Sequence, residues 1–294
     1  MTQLLIFGGT RFFGKKTVEH FLNQGYEVTV ATRGRLQDDF GKRVKRITVD
    51  RQDRHHIGWQ AIAKTNWDLV FDNICYTKEE AAIALDYLTT VRHYLVTSSL
   101  AVYEGEPASM GFTENQFDPS NYPIEKKNVD YGEGKRQVEA YFTEHASFPV
   151  TYLRFPVVLD DDDYTQRLHF YIRQALAEEE IVFRNETGHF SYIKGSEIPL
   201  AIQFIIDNKI YGPVNISSSE PFSTAQFVSN IALATNKELK ISFTEAKEQS
   251  PFSHYDVAMD VSYLAQLGYP VTTLASWLPD LMKRLVAEET ASFG

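Results

Sequence analysis

Gly8-Gly9-Thr10-Arg11-Phe12-Phe13-Gly14 follows directly on the apolar run Leu4-Leu5-Ile6-Phe7. A strand that breaks on glycine and restarts as a helix leaves backbone without Cβ atoms at the break, and a pyrophosphate can approach it closely. The N–H groups and dipole of the following helix then bind the anion. One glycine position of such a loop holds Arg11, so the reading needs support from the rest of the chain.

The first half of the chain supplies that support by alternating strand and helix patterns. Val18, Phe21 and Leu22 stand at helical spacing, with Gly25 as the stop. Strands are expected at 27–31, 47–49, 68–72, 94–97 and 150–154. Thr77 precedes Glu80 by the spacing of a capping box and opens a helix through Leu85 and Leu88. Residues 131–145 read as a helix with Val138 and Phe142 on one face. Repeated βα units of this length predict an α/β protein with a doubly wound parallel sheet and helices on both faces. Residues 1–156 form the expected nucleotide-binding domain, with parts of 190–220 returning to it. Residues 157–294 form a smaller substrate-binding lobe, with helices at 166–178, 198–206, 225–234 and 277–286 and a strand at 214–217. The run Asp160 to Asp163 reads as a solvated loop, because four adjacent carboxylates repel one another.

Composition bounds the function. The chain has 294 residues and 43% apolar content, enough for a sizeable core. No apolar run reaches the roughly 18 residues of a membrane span. A first strand beginning by Gln3 leaves no room for a signal segment. Cys75 is the single cysteine, which excludes an intrachain disulfide and points to a reducing cytoplasm. The net charge of −10 disfavours nucleic acid as a general partner. Arg33 to Arg54 runs the other way, with eight basic and four acidic residues. A solvated surface, a 2′-phosphate contact and an RNA contact all remain open for that stretch. The histidines lack metal-ligand spacing, so no metal site is expected.

Tyr131 and Lys135 are four apart on a helix and share a face. A free tyrosine, with a pKa of about 10, is a poor base at neutral pH. A neighbouring ammonium and a positive nicotinamide ring favour its phenolate. The tyrosine can then take a proton from a substrate hydroxyl as hydride leaves the carbon, while the lysine holds the nicotinamide ribose. Ser98 and Ser99 end the fifth strand, at the edge where open α/β sheets bind ligands.

In these residues the chain resembles the extended short-chain dehydrogenase/reductase superfamily, the NAD(P)-dependent epimerase/dehydratase family. Leu95 to Tyr103 is similar to the family's serine strand, and Tyr131-Gly132-Glu133-Gly134-Lys135 with Glu139 to its catalytic helix. Leu153 to Pro156 and Gly212 to Ser217 resemble its sixth and late strands. The resemblance implies a Rossmann-type fold with a smaller C-terminal substrate lobe, and a small-molecule substrate oxidised, reduced or epimerised at a hydroxyl or carbonyl. It makes Ser99, Tyr131 and Lys135 catalytic. It assigns Gly8, Gly9, Thr10, Arg11, Phe12, Phe13, Gly14, Arg33, Asp50, Arg51, Asn73, Tyr131, Lys135 and Phe155 to the cofactor. It also implies a homodimer through the helices that start near Lys78 and Tyr131, with two places open for Ala82, Leu85, Val138 and Phe142: the dimer seam or the face toward the sheet.

Departures from the family pattern narrow these expectations. The acidic pair of the 4,6-dehydratases is replaced by Leu100 and Ala101, and Val157 stands where sugar-nucleotide enzymes often carry asparagine. The second strand ends in Thr32-Arg33-Gly34-Arg35 rather than in a carboxylate. Arg33, with Arg11, therefore points to NADP, with NAD and a surface arginine without a ligand as the alternatives. The Gly-Gly-Thr-Arg motif is similar to an atypical branch that includes chloroplast stem-loop RNA-binding proteins, which keeps an RNA-binding alternative open. A cofactor-binding regulator without turnover is the third reading.

Overall fold

The computed structural model describes residues 1–107, 111–124, 129–184, 186–244, 251 and 257–292. In chain order its strands are β1 (Gln3–Phe7), β2 (Glu27–Thr32), β3 (Lys45–Thr48), β4 (Trp67–Asp72), β5 (Val91–Ser99), β6 (Val150–Phe155) and β7 (Val157–Leu159), then β8 (Glu180–Phe183), β9 (His189–Phe190), β10 (Tyr192–Lys194), β11 (Gly212–Asn215), β12 (Phe222–Ser223) and β13 (Lys240–Phe243). The helices are α1 (Phe12–Asn23), α2 (Gly58–Ala63), α3 (Lys78–Tyr87), α4 (Tyr131–His145), α5 (Arg167–Leu176), α6 (Ile198–Asp207), α7 (Thr224–Thr235), α8 (Ser262–Gln266) and α9 (Leu278–Ser292). They divide into two compact units, each assembled from three segments of chain. The first takes Met1–Gly105, Glu114–Phe155 and Ser196–Ile216, and the second takes Glu106–Thr113, Pro156–Gly195 and Ser217–Gly294.

The first unit is built on a seven-stranded sheet in the order β11-β6-β5-β4-β1-β2-β3, parallel throughout. β1 pairs with β2 on one side and β4 on the other, so the winding reverses between β1 and β4. The carboxyl ends of those two strands flank the crevice that such a reversal opens. Central strands buried on both faces need unbroken apolar runs, and Leu4 to Phe7 of β1 are all buried. On one face, Trp59 and Ile62 of α2, Ala81 and Ala84 of α3, and Val138 and Phe142 of α4 pack with Leu5, Phe7, Val70, Tyr94 and Val96. α1 packs with α6, which buries Ile198, Ala201, Ile202 and Ile205.

Where sequence and structure differ, the cause is local. The α2 turn has only six residues, too few to show a helical period, yet it buries Trp59 and Ile62. β3 begins two residues earlier than expected, because it is largely exposed and carries no apolar alternation. The Thr77–Glu80 capping box forms as anticipated. Val138 and Phe142 are each only 1% exposed and belong to the interior cluster of their own unit. Of the two places open to them, these two residues take the one facing the sheet and are not available to a dimer seam.

The second unit holds two parallel strand pairs, β7 with β10 and β8 with β13, and one antiparallel pair, β9 with β12. Helices α5, α7 and α9 pack on one another. Their core is aromatic: Tyr171 stacks on Phe183 at 5.6 Å and meets Phe227 edge-on at 5.2 Å. The acidic run is only partly solvated, which corrects the sequence reading. Asp160 and Asp163 are buried, Asp163 accepts from the Thr165 N–H and hydroxyl, and exposed Asp161 pairs with Arg284. Turn formation and ion pairing thus offset the repulsion along the run. Among the described residues no helix is long and apolar enough to cross a membrane.

Candidate active site

Gly8 and Gly9 have φ of +87° and +86°, a region that strains residues with a Cβ. A Cβ on Gly14 would lie 3.0 Å from Asn73 Nδ2 and 3.2 Å from Gly9 N. Arg11 is extended, at φ −140° and ψ 151°, which any residue adopts, so that position has no need of glycine. The left-handed conformation falls instead on Phe12, at φ +50°; it costs a bulky residue about 1–2 kcal/mol. α1 then begins with no side-chain cap and no carboxylate in its first turn. A Cβ-free cradle leading into such a helix start fits a dinucleotide pyrophosphate. Thr10 is half-buried in this loop. Phe13 packs edge-on to Phe155 at 5.9 Å, tying the loop to the end of β6.

At the end of β5 the alternation of the strand separates the two serines. Ser98 points into the interior, where its hydroxyl donates to Glu139 Oε1 at 2.5 Å. Ser99 closes the strand with its Oγ accepting from Ala101 N–H at 3.2 Å. Glu139 also holds Arg154 through Nε at 3.0 Å and Nη2 at 2.6 Å, both partners fully buried. Arg154 further donates to the Tyr103 hydroxyl and to the carbonyls of Glu114 and Phe117. Breaking such a buried pair by removing one partner costs about 3–5 kcal/mol.

α4 is placed against this strand end by two glycines that sequence reading left without a role. Asp130 caps the helix by accepting from Glu133 N–H at 2.8 Å. A Cβ on Gly132 would lie 2.5 Å from Ala101 O, and one on Gly134 would lie 2.5 Å from Tyr76 O. Glycine in a helix weakens it, so two of them in its first turn mark backbone-to-backbone approach. That was the signal available in the sequence. The approach sets the first turn of α4 against Ala101 and the loop after β4.

Tyr131 is 49% exposed. Lys135 is buried and donates to the carbonyls of Cys75 at 2.7 Å and Thr97 at 2.8 Å. Its Nζ lies 5.8 Å from the Tyr131 ring centroid and 4.6 Å from that of Tyr76. Burial pulls its pKa down to about 8, against the raising effect of Cys75, Asp72 and Glu80. The Cys75 thiol is buried and pushed up to about 12 by desolvation, which leaves it inert.

The remaining cofactor candidates fall in three places. Asn73 follows β4, accepts from the Thr97 hydroxyl at 2.9 Å, and lies against Gly8 and Gly14. Asp50 is half-buried after β3 and accepts from Gln52 N–H. Arg33 is exposed at the end of β2, with no hydrogen bond or ion pair among the described residues. Arg51 differs from expectation. Its guanidinium is turned inward to Asp72 and the Glu80 carbonyl and is 5% exposed, so only its main chain is left for a cofactor. Within the basic stretch, Lys45 pairs with Glu27, Arg46 with Asp38 and Arg54 with Asp86, so half of its eight cations, Arg51 included, are held by carboxylates.

Comparison with known proteins places this fold. No family model matches the chain. UDP-glucose 4-epimerase from Thermotoga maritima superposes with a TM-score of 0.74 at 15% identity, covering 100% of both chains. UDP-glucuronic acid 4-epimerase from Bacillus cereus, in complex with UDP-glucuronic acid and NAD, gives 0.74 at 15% identity over 98% of this chain and 100% of that one. dTDP-glucose 4,6-dehydratase from Bacillus anthracis, in complex with NAD, gives 0.75 at 13% identity over 98% and 97%. In sequence, the chloroplast stem-loop binding protein of 41 kDa b from Arabidopsis thaliana is 27% identical over 132 residues. That match spans 40% of this chain and about a third of the relative, 35% of its length.

Proposed function

We propose that the chain is an oxidoreductase or epimerase that uses a nicotinamide dinucleotide and acts on a hydroxyl or carbonyl of a small polar substrate. The observation that supports this reading is the backbone approach of Gly132 to Ala101 and of Gly134 to Tyr76, with Lys135 donating to the carbonyls of Cys75 and Thr97 near the carboxyl ends of β4 and β5. The glycine cradle, Asn73, the Asp50 turn and Phe155 would hold the cofactor. A bound nicotinamide supplies the hydride acceptor or donor. Tyr131, half exposed, takes the proton from the substrate hydroxyl or returns it to the carbonyl. The Ser99 hydroxyl orients the reacting oxygen, and Lys135 provides the positive charge behind the phenol.

Leu100 and Ala101 give no carboxylate for dehydration, and Val157 is buried in β7 with no polar group for a diphosphate. The reading therefore favours oxidation, reduction or epimerisation over dehydration, and it extends to substrates other than sugar nucleotides. Arg33, exposed and unpaired among the described residues, supports NADP as the preferred cofactor. A charge-assisted pair to the 2′-phosphate is worth roughly 1.5–3 kcal/mol, or about one to two orders of magnitude in affinity. Calorimetric titration of both cofactors tests it. NADP is expected to bind more tightly than NAD, with Arg33→Ala erasing the difference. Equal affinities in the wild type would remove the assignment.

RNA binding is the second reading. Exposed Arg33, Arg35, Lys42 and Arg43 and the stem-loop binding name of the chloroplast relative support it. Gel-shift titration with a structured RNA at two salt concentrations separates the two readings.

A further inference from the structure

Tyr76 stands over the buried lysine of the candidate site. It follows β4 by four residues and is 47% exposed. Its main chain is held from both sides: the N–H donates to Glu80 Oε2 at 2.6 Å, and the carbonyl abuts Gly134. Its ring lies 6.4 Å from that of Tyr131 and closer to Lys135 than Tyr131 does, 4.6 Å against 5.8 Å. Lys135 is 1% exposed. Two of its three N–H donors go to the Cys75 and Thr97 carbonyls. The third has no oxygen acceptor among the described residues, and the face of Tyr76 takes that place by cation–π attraction.

We infer that Tyr76 is a shield on Lys135, occupying the position on the ammonium that the hydroxyls of a nicotinamide ribose would take, so that cofactor entry requires the ring to leave. The inference rests on the proposed function, in which Lys135 meets that ribose. Tyr76 acts through Lys135 and is a positioning residue. The surroundings make the ammonium responsive to such a cover. The Asp72 and Glu80 carboxylates favour its charge, burial and Arg51 oppose it, and Tyr76 and Tyr131 close the remaining side.

The test is acylation of the full chain by acetic anhydride as a function of pH, with modification at Lys135 read by mass spectrometry against exposed Lys42. The plateau rate reports access, and the midpoint reports the proton. Tyr76→Ala is expected to raise the plateau by about tenfold or more and to move the midpoint up from about 8 toward the value of an exposed lysine near 10.4. Tyr76→Phe keeps the ring face and is expected to match the wild type. NADP and NAD are expected to bind Tyr76→Ala about three- to tenfold more tightly, the yield of removing one competing cation–π contact. An unchanged plateau and midpoint in Tyr76→Ala overturns the shield. So does a cofactor that protects Lys135 in the wild type yet binds Tyr76→Ala no more tightly, and that result leaves the proposed function standing. Failure of both proteins to bind any nicotinamide dinucleotide overturns the proposed function and the competition with it.

Discussion

Single side chains carry two sharp consequences. Tyr131→Phe removes one oxygen from a half-exposed ring, so melting temperature and cofactor affinity are expected to stay near wild type. Turnover is expected to fall by about two to four orders of magnitude, the usual worth of a positioned acid/base. Hydride transfer across a panel of sugars, sugar nucleotides and small ketones measures it, and full activity in the variant would remove Tyr131 from the mechanism. His93 answers to pH instead. It is 4% exposed, its Nε2 meets the Thr151 hydroxyl at 2.7 Å, and burial lowers its pKa from 6.5 to about 4. The Thr151 hydroxyl itself donates to the Ile210 carbonyl, so His93 must donate from Nε2, as a neutral imidazole. Between those two pKa values the unfolded chain binds more protons, so stability falls as pH drops through that window, by roughly 3 kcal/mol from this residue. His93→Gln is expected to flatten the acid limb of stability against pH, measured by urea unfolding. An equally steep limb would place the acid sensitivity elsewhere.

At the scale of elements, α4 is the piece whose placement matters most. Gly134→Ala puts a methyl group 2.5 Å from the Tyr76 carbonyl, and Gly132→Ala puts one 2.5 Å from that of Ala101. Each is expected to cost about 1–3 kcal/mol of stability, despite alanine's better helix propensity. Each should also lower turnover by shifting Tyr131 relative to Ser99. Thermal unfolding with single-turnover rates checks this, and a stabilised, fully active Gly134→Ala would refute the close approach. The same helix marks how far the sequence could be read. Its bounds, and the tyrosine and lysine on one stripe, follow from spacing, because helix period and side-chain chemistry are local. The doubly wound parallel class was legible too, since apolar strands alternate with helical patterns in the first half of the chain. The inward turn of Arg51 was not, because its partner Asp72 lies 21 residues away across the sheet. Nor were β7 to β10, β12 and β13: strands of two to four residues are too short to show a period of two. Tyr76 over Lys135 depends on a loop closing against a helix, a tertiary event without a sequence period.

For the whole molecule, the main fact is that each unit draws on three separate stretches of chain. A chain ended after Pro156 lacks β11, which pairs with β6, and α6, which packs with α1. It would present the bare edge of β6 and an uncovered apolar face. Such a truncated chain is expected to be insoluble or to bind dye as a loosened globule, whereas the full chain unfolds from a packed state. A soluble, cooperatively melting fragment of 1–156 would show that the sheet is complete without its late strand. The interlacing also sets a timetable during synthesis. Ribosomes deliver about 5–20 residues per second. The first unit therefore waits several seconds after β6 emerges, with that edge unpaired, until Gly212–Asn215 follow. Holding nascent chains of this protein out of aggregates during that interval is work for whatever chaperone meets them at the tunnel exit.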